Sequence, residues 1–193
     1  MTKRVFIIHG WGGSPDGGWM PWLKEELEKK GFEVIAPQMP NTDYPKIDEW
    51  VGFLIKKVNE PDENTYFIGY SIGCQTILRY LEKLPKDKKI SGALFVAGWF
   101  NLKPAAMEDK EDVEISKPWI ETPIDYSKIL EHTKNFTAIF SDNDPDVPIE
   151  DAELFKEKLG AKIIIQHNKG HFRGEDGIIE LPVILEQLLK ITG

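Results

Sequence analysis

The sequence predicts a three-layer α/β fold: a doubly wound, mostly parallel sheet of six strands with helices on both faces. Two observations carry this. Short β-branched and aromatic runs recur along the chain, each followed by a helical pattern. Most of these runs are continuously apolar rather than alternating, as expected of strands covered on both faces. The 193 residues suffice for one substantial core and fall short of two comfortable ones, so residues 1–193 read as a single domain.

Val5–His9 opens the chain as the first strand. Trp19–Lys30 follows as a helix, with Leu23 and Leu27 four apart and Gly31 as its natural stop. Phe32–Ala36 is the second strand. Ile47, Val51, Leu54, Ile55 and Val58 then form one helical stripe ended by Pro61. Tyr66–Ile68 is the third strand, and Cys74, Ile77, Leu78 and Leu81 match the i, i+3, i+4, i+7 template before Pro85. Ala93–Ala97 is the fourth strand. Phe136–Phe140 and Lys162–Gln166 are the fifth and sixth, with helices at Ala152–Leu159 and Pro182–Ile191. Right-handed crossovers turn this order into a doubly wound sheet. Residues 101–131 break the rhythm, with Pro104, Pro118, Pro123, an acidic patch over Glu108–Glu114 and one short helical piece near Ser127–Glu131. A strandless stretch of that length reads as a small lid, a pocket wall or a surface loop.

Composition narrows the function classes. Hydrophobic residues make up 41% and charged residues 29%, the balance of a globular chain. The net charge of −8 argues against nucleic acid and anionic membranes as partners. Cys74 is the only cysteine, so no intrachain disulfide can form, and a reducing compartment fits. Met1-Thr2-Lys3-Arg4 leads straight into the first strand without a secretory pattern, and no apolar run approaches a membrane span. A cytoplasmic location is the expectation. The six tryptophans either fill the core or wall a substrate pocket.

The strongest chemical signal is Gly69-Tyr70-Ser71-Ile72-Gly73, between an apolar strand and a helix. This G-x-S-x-G pattern suits a tight strand-to-helix turn that lifts a serine hydroxyl clear of the sheet beside the unpaired N–H groups of a helix start. With six serines and 16 glycines, usage alone would produce roughly 0.04 such matches. A serine nucleophile needs a base. His171, in Lys169-Gly170-His171-Phe172 after the sixth strand, is preferred over His167 at the end of that strand, and His132 reads as a surface residue. The acid that orients the base should lie between serine and histidine. Asp142, Asp144 and Asp146 all follow the fifth strand, and Asp144 is preferred. Asp142 reads as a turn cap, and Asp146 as solvent-facing or capping the next helix. After the first strand, His9-Gly10-Trp11-Gly12-Gly13 offers a backbone that can approach a substrate oxygen, with the N–H groups of Trp11 and Ile72 as oxyanion donors. Pro15 stands where a dinucleotide loop would place its third glycine, and no Walker lysine follows. Trp99, Phe100 and Phe172 are weaker pocket candidates.

Together, His9-Gly10-Trp11-Gly12-Gly13, Gly69-Tyr70-Ser71-Ile72-Gly73, Asp144-Pro145-Asp146-Val147-Pro148 and Gly170-His171-Phe172 resemble the α/β-hydrolase superfamily. Within it the chain resembles the small serine hydrolases grouped with retinoblastoma-binding protein nine and bacterial YdeN, and Lys117-Pro118-Trp119 is similar too. The resemblance implies a minimal sheet of order 2-1-3-4-5-6 and a catalytic triad of Ser71, Asp144 and His171. The vertebrate member's Leu-x-Cys-x-Glu motif has no counterpart, since Val58-Asn59-Glu60-Pro61-Asp62-Glu63 lacks cysteine. The retinoblastoma protein is therefore not expected as a partner. The expected function is hydrolysis of a small-molecule carboxylic ester, less readily an amide, through an acyl-enzyme and without metal or organic cofactor. A binding or regulatory protein with little turnover is the alternative. Acyl transfer and cofactor-free perhydrolysis share the same first step.

Overall fold

The computed structural model describes residues 2–192. Six strands form one parallel sheet of order β2-β1-β3-β4-β5-β6. In chain order these are β1 (Arg4–Ile8), β2 (Glu33–Ile35), β3 (Thr65–Tyr70), β4 (Gly92–Val96), β5 (Phe136–Ser141) and β6 (Lys162–Gln166). The helices are α1 (Met20–Lys29), α2 (Ile47–Val58), α3 (Ile72–Glu82), α4 (Lys110–Glu121), α5 (Tyr126–His132), α6 (Asp151–Leu159) and α7 (Pro182–Thr192).

Strand geometry splits the core into two layers, because successive side chains point to opposite faces. Phe6, Ile8, Phe67 and Phe95 pack under α2, α3, α5 and α6 with Trp50, Leu54, Ile77, Ile129 and Phe155. Val5, Ile7, Tyr66, Ile68 and Leu94 face α1 and α7 with Leu23, Leu27, Ile184 and Leu188. The central strands are therefore apolar on both sides, while the edge strands β2 and β6 are only partly buried. Pairing of Ile8 with Gly69 and of Tyr70 with Val96 brings the carboxyl ends of β1, β3 and β4 to one edge of the sheet. That edge is where open α/β sheets place their ligands.

Residues 101–131 hold more structure than their sequence suggests. A 3₁₀ turn at Pro104–Ala106 precedes α4 and α5. The acidic patch is a helix start: Asp109 accepts the Asp112 N–H at 2.9 Å, and Glu111 and Asp112 lie in the first turn, where the helix dipole favours them. Pro118 sits inside α4 at the cost of a backbone hydrogen bond. Tertiary contacts offset that cost. The Trp119 indole donates to the Pro45 carbonyl at 2.9 Å, and its ring meets Trp50 edge-on at 6.2 Å. The buried Arg79 of α3 donates to the Trp119 and Thr122 carbonyls, both at 2.9 Å, at the end of α4 where a cation is favoured. His132 also departs from its surface reading. It is buried, with Nδ1 2.8 Å from the Lys88 carbonyl.

Candidate active site

Ser71 sits between β3 and α3 with φ 53° and ψ −123°, a conformation that costs a non-glycine residue about 1–3 kcal/mol and persists only where its surroundings enforce it. The enforcement is visible on both sides. The Ser71 N–H donates to the Val96 carbonyl at 2.9 Å, and its own carbonyl accepts the Cys74 N–H at 3.0 Å. A Cβ on Gly69 would lie 2.8 Å from the Cys74 backbone, and one on Gly73 would lie 2.3 Å from the Ile8 carbonyl oxygen. The two glycines thus serve different contacts: Gly69 admits the first turn of α3, and Gly73 lets α3 dock on the end of β1. Gly73→Ala must push α3 off β1. It is expected to lower stability by about 2 kcal/mol or more in chemical denaturation; an unchanged midpoint would contradict this packing.

His171 arrives from the loop after β6. His171 Nε2 lies 3.0 Å from Ser71 Oγ, and Nδ1 lies 2.8 Å from Asp144 Oδ2. With the proton on Nδ1, the serine hydroxyl donates to Nε2 and the imidazole donates to the carboxylate. All three residues are buried, Ser71 at 8% exposure, His171 at 5% and Asp144 at 3%. The other carboxylate oxygen, Asp144 Oδ1, accepts the backbone N–H groups of Asp146 and Val147 at 2.8 and 3.0 Å. The aspartate is thereby locked to its own loop through one oxygen and to the histidine through the other.

The competitors sort themselves by position. His167 is exposed and pairs with Asp142, which also accepts the Asn168 N–H at 2.9 Å. This partnership holds the Asp142 carboxyl below the usual carboxylate range, with the His167 contact the largest cause. Asp146 departs from its reading as a solvent-facing or helix-capping residue. It is buried at 9% exposure, forms an ion pair with Arg173, and places Oδ2 3.7 Å from His171 Nδ1. Residue choice around His171 also includes Tyr70, which sequence reasoning passed over although it lies inside the serine motif. Its hydroxyl donates to the His171 carbonyl at 2.8 Å and its ring leans on the imidazole at 5.4 Å. Burial pushes that hydroxyl's pKa up, so it stays protonated as a donor.

Ser71 opens into a cavity of about 480 Å³ lined by Trp11, Ile72 and Trp99 and walled by Leu102, Ala106 and Asp112 from the 101–131 segment. Trp99 therefore borders the cavity that Ser71 opens into. Phe100 does not: it stacks on Phe155 at 4.5 Å and meets Tyr126 edge-on at 5.9 Å, because the next residue along the chain turns to the other side. Phe172 is buried in the α1/α7 layer and borders a neighbouring cavity of about 550 Å³ that shares Trp11, Tyr70 and Arg173 with the first. Of the six tryptophans, Trp19, Trp50, Trp99 and Trp119 are fully buried.

The loop after β1 carries one of the two N–H groups expected to face a substrate oxygen, that of Trp11, and the start of α3 carries the other. Ile72 is the first residue of α3, so its N–H is one of the helix's unpaired donors. The neighbouring N–H groups of Gly12 and Gly13 are already bonded to the Thr42 and Gly10 carbonyls. His9 shapes this loop. Its Nε2 accepts the Met39 N–H at 3.0 Å, so Nδ1 carries the proton and donates to the Gly10 carbonyl at 2.8 Å. Burial lowers the pKa of His9, outweighing the Gly10 contact. A lowered folded-state value means that stability from this group is complete above the unfolded value near 6.5 and drains away as pH falls. His9→Asn is thus expected to be less stable at pH 7 but to lose less stability than wild type between pH 7 and 5 in denaturant titrations. Parallel losses would contradict the role of a neutral His9.

Asp144, Asp146 and His171 hold donor atoms within 4.8 Å of one another, a spacing a cation could use. Those atoms are already committed: Asp144 Oδ2 to the imidazole, and Asp146 Oδ2 to the Arg173 guanidinium.

A serine on a strained turn, hydrogen-bonded to a histidine that is itself hydrogen-bonded to an aspartate, can be compared with known families. The sequence profile of the serine hydrolases matches residues 5–190. The chain belongs to the serine hydrolase family. It is 31% identical over 188 residues to YdeN of Bacillus subtilis strain 168, covering 97% of this chain and 95% of that one. It is 25% identical over 177 residues to the serine hydrolase RBBP9 of Rattus norvegicus, covering 91% and 89%. The crystal structure of the ydeN gene product from B. subtilis superposes with a TM-score of 0.90 at 29% identity and covers 99% of each chain. Est1E from Butyrivibrio proteoclasticus shares the fold, with a TM-score of 0.70 at 14% identity over 97% of this chain and 89% of that one. This serine hydrolase has the α/β-hydrolase sheet order in its minimal six-stranded form.

Proposed function

We propose that this serine hydrolase cleaves carboxylic esters through an acyl-enzyme, with Ser71 as nucleophile, His171 as general base and acid, and Asp144 as the group that orients His171. The continuous hydrogen-bonded path from Ser71 Oγ through the imidazole to Asp144 Oδ2 carries this reading. As Ser71 Oγ attacks the carbonyl carbon, its proton passes to His171 Nε2. The carbonyl oxygen becomes an oxyanion held by the N–H groups of Trp11 and Ile72. Collapse of this intermediate breaks the bond to the alcohol, which leaves with the proton from Nε2. Water then repeats the sequence on the acyl-serine and releases the acid. Asp144 stays ionised and stabilises the imidazolium.

Trp11, Ile72, Trp99, Leu102, Ala105 and Ala106 supply the apolar part of the cavity wall, while Glu108, Asp112, Asp146 and Arg173 make much of the remainder polar. That lining suits a short or polar small-molecule acyl group better than a long alkyl chain. No helix among the described residues is long and apolar enough to cross a membrane. The acidic charge and the buried free Cys74 support a cytoplasmic protein without nucleic-acid partners. Wild-type protein is expected to hydrolyse p-nitrophenyl acetate in preference to p-nitrophenyl palmitate and to lose activity on fluorophosphonate treatment. Absence of both turnover and labelling would overturn the reading.

A further inference from the structure

The triad does not account for the second carboxylate beside His171. Asp146 Oδ2 lies 3.7 Å from His171 Nδ1, farther than the Asp144 oxygen at 2.8 Å but still in direct electrostatic range. The same oxygen is bonded by Arg173, which follows the histidine by two residues and lines the Ser71 cavity. Asp146 is buried, whereas the Arg173 side chain is half exposed at 45%. Asp144 Oδ1 accepts the Asp146 N–H, so the two carboxylates sit on one loop, and Asp144 Oδ2 makes the shorter contact to His171.

We infer that Asp146 and Arg173 form a charge-compensated pair that positions the proton affinity of His171: Asp146 favours the imidazolium, and Arg173 limits that effect. This rests on the triad reading above. The charged and titratable groups around the imidazole come from several elements. Asp144 and Asp146 face it from the loop after β5, and Ser71 and Tyr70 from the end of β3. Arg173 belongs to its own loop, where Asp176 accepts the Arg173 N–H. Lys103 donates to the Asp144 carbonyl at 2.6 Å, and Glu108 and Asp112 stand on the cavity wall. Among these, Asp146 and Arg173 are the pair whose removal one at a time unbalances charge next to Nδ1 in opposite senses.

The inference predicts opposite displacements. Losing the Asp146 carboxylate leaves Arg173 unopposed and makes the imidazolium harder to form. Losing Arg173 leaves Asp146 unopposed and makes it easier. The test is the pH dependence of the fluorophosphonate labelling rate between pH 5 and 9 for wild type, Asp146→Asn, Arg173→Gln, Arg173→Lys and the Asp146→Asn/Arg173→Gln double variant. The acidic inflection is expected to fall by roughly one pH unit in Asp146→Asn and to rise by about half a unit in Arg173→Gln. Arg173→Lys and the double variant, which preserve the charge balance, are expected to return near wild type. A merely structural pair would lower the rate without moving the inflection. Unmoved inflections, or shifts of both single variants in the same direction, would overturn the inference. If instead the triad reading itself fails, Ser71→Ala labels like wild type, whatever the pH profiles show.

Discussion

Replacing Ser71 with alanine is expected to reduce kcat for p-nitrophenyl acetate by about 10⁶-fold while leaving the fold intact. Among the described residues the hydroxyl's side-chain hydrogen-bond partner is His171, and alanine keeps the Cβ. The strained backbone of the turn is held by Val96, Gly69 and Gly73 rather than by the hydroxyl. Alanine adopts the same φ of 53° at a similar cost, so the melting temperature should move by only a few degrees. Residual hydrolysis above the buffer rate would come from the oxyanion donors and from binding alone. A variant within tenfold of wild type would mean that another group attacks the ester.

Asp144→Asn is expected to produce the second largest loss, about 10⁴-fold in kcat with little change in KM. The geometry specifies why. Asp144 Oδ1 accepts the Asp146 and Val147 N–H groups, so the asparagine carbonyl will keep that side and turn its NH₂ toward His171 Nδ1. An N–H donor there forces the imidazole proton onto Nε2, and Nε2 can no longer accept the serine proton. Protein stability should change less than activity, because the amide retains both loop contacts. A kinetic comparison of Asp144→Asn with Asp144→Ala separates the wrong tautomer from simple loss of the acid. Retention of most activity in both would move the orienting role to Asp146.

These effects fall on residues that local sequence could mark. The strands were legible because residues such as Ile8, Phe67 and Leu94 are buried on whichever face they occupy, leaving no polar alternation to confuse the pattern. The serine turn was legible because a steric demand leaves a chemical trace: only glycine fits at positions 69 and 73. Each of the two meets a different partner, Gly69 the Cys74 backbone and Gly73 the end of β1. Long-range features left no such trace. Helix α4 buries only Ser116 and Trp119 and carries an internal proline, so its stability comes from Arg79, Pro45 and Trp50, three contacts distant in sequence. Asp146 is drawn inward by Arg173 from the loop after β6, and His132 by the Lys88 carbonyl. Trp99 and Phe100 are neighbours with opposite fates, and which of them faces the cavity depends on the chain's turn after β4. That turn is fixed by Asp151, whose carboxylate accepts the backbone N–H groups of Phe100 and Asn101 at 2.5 and 2.9 Å.

Hydrolysis as proposed requires Ser71 to attack, activated by His171. Peptide mapping by mass spectrometry after treatment with a fluorophosphonate identifies the attacking residue. A single adduct is expected on the peptide containing Ser71 in wild type, none in Ser71→Ala, and strongly slowed formation in His171→Ala. An adduct on any other residue, or equal labelling of wild type and Ser71→Ala, would contradict it.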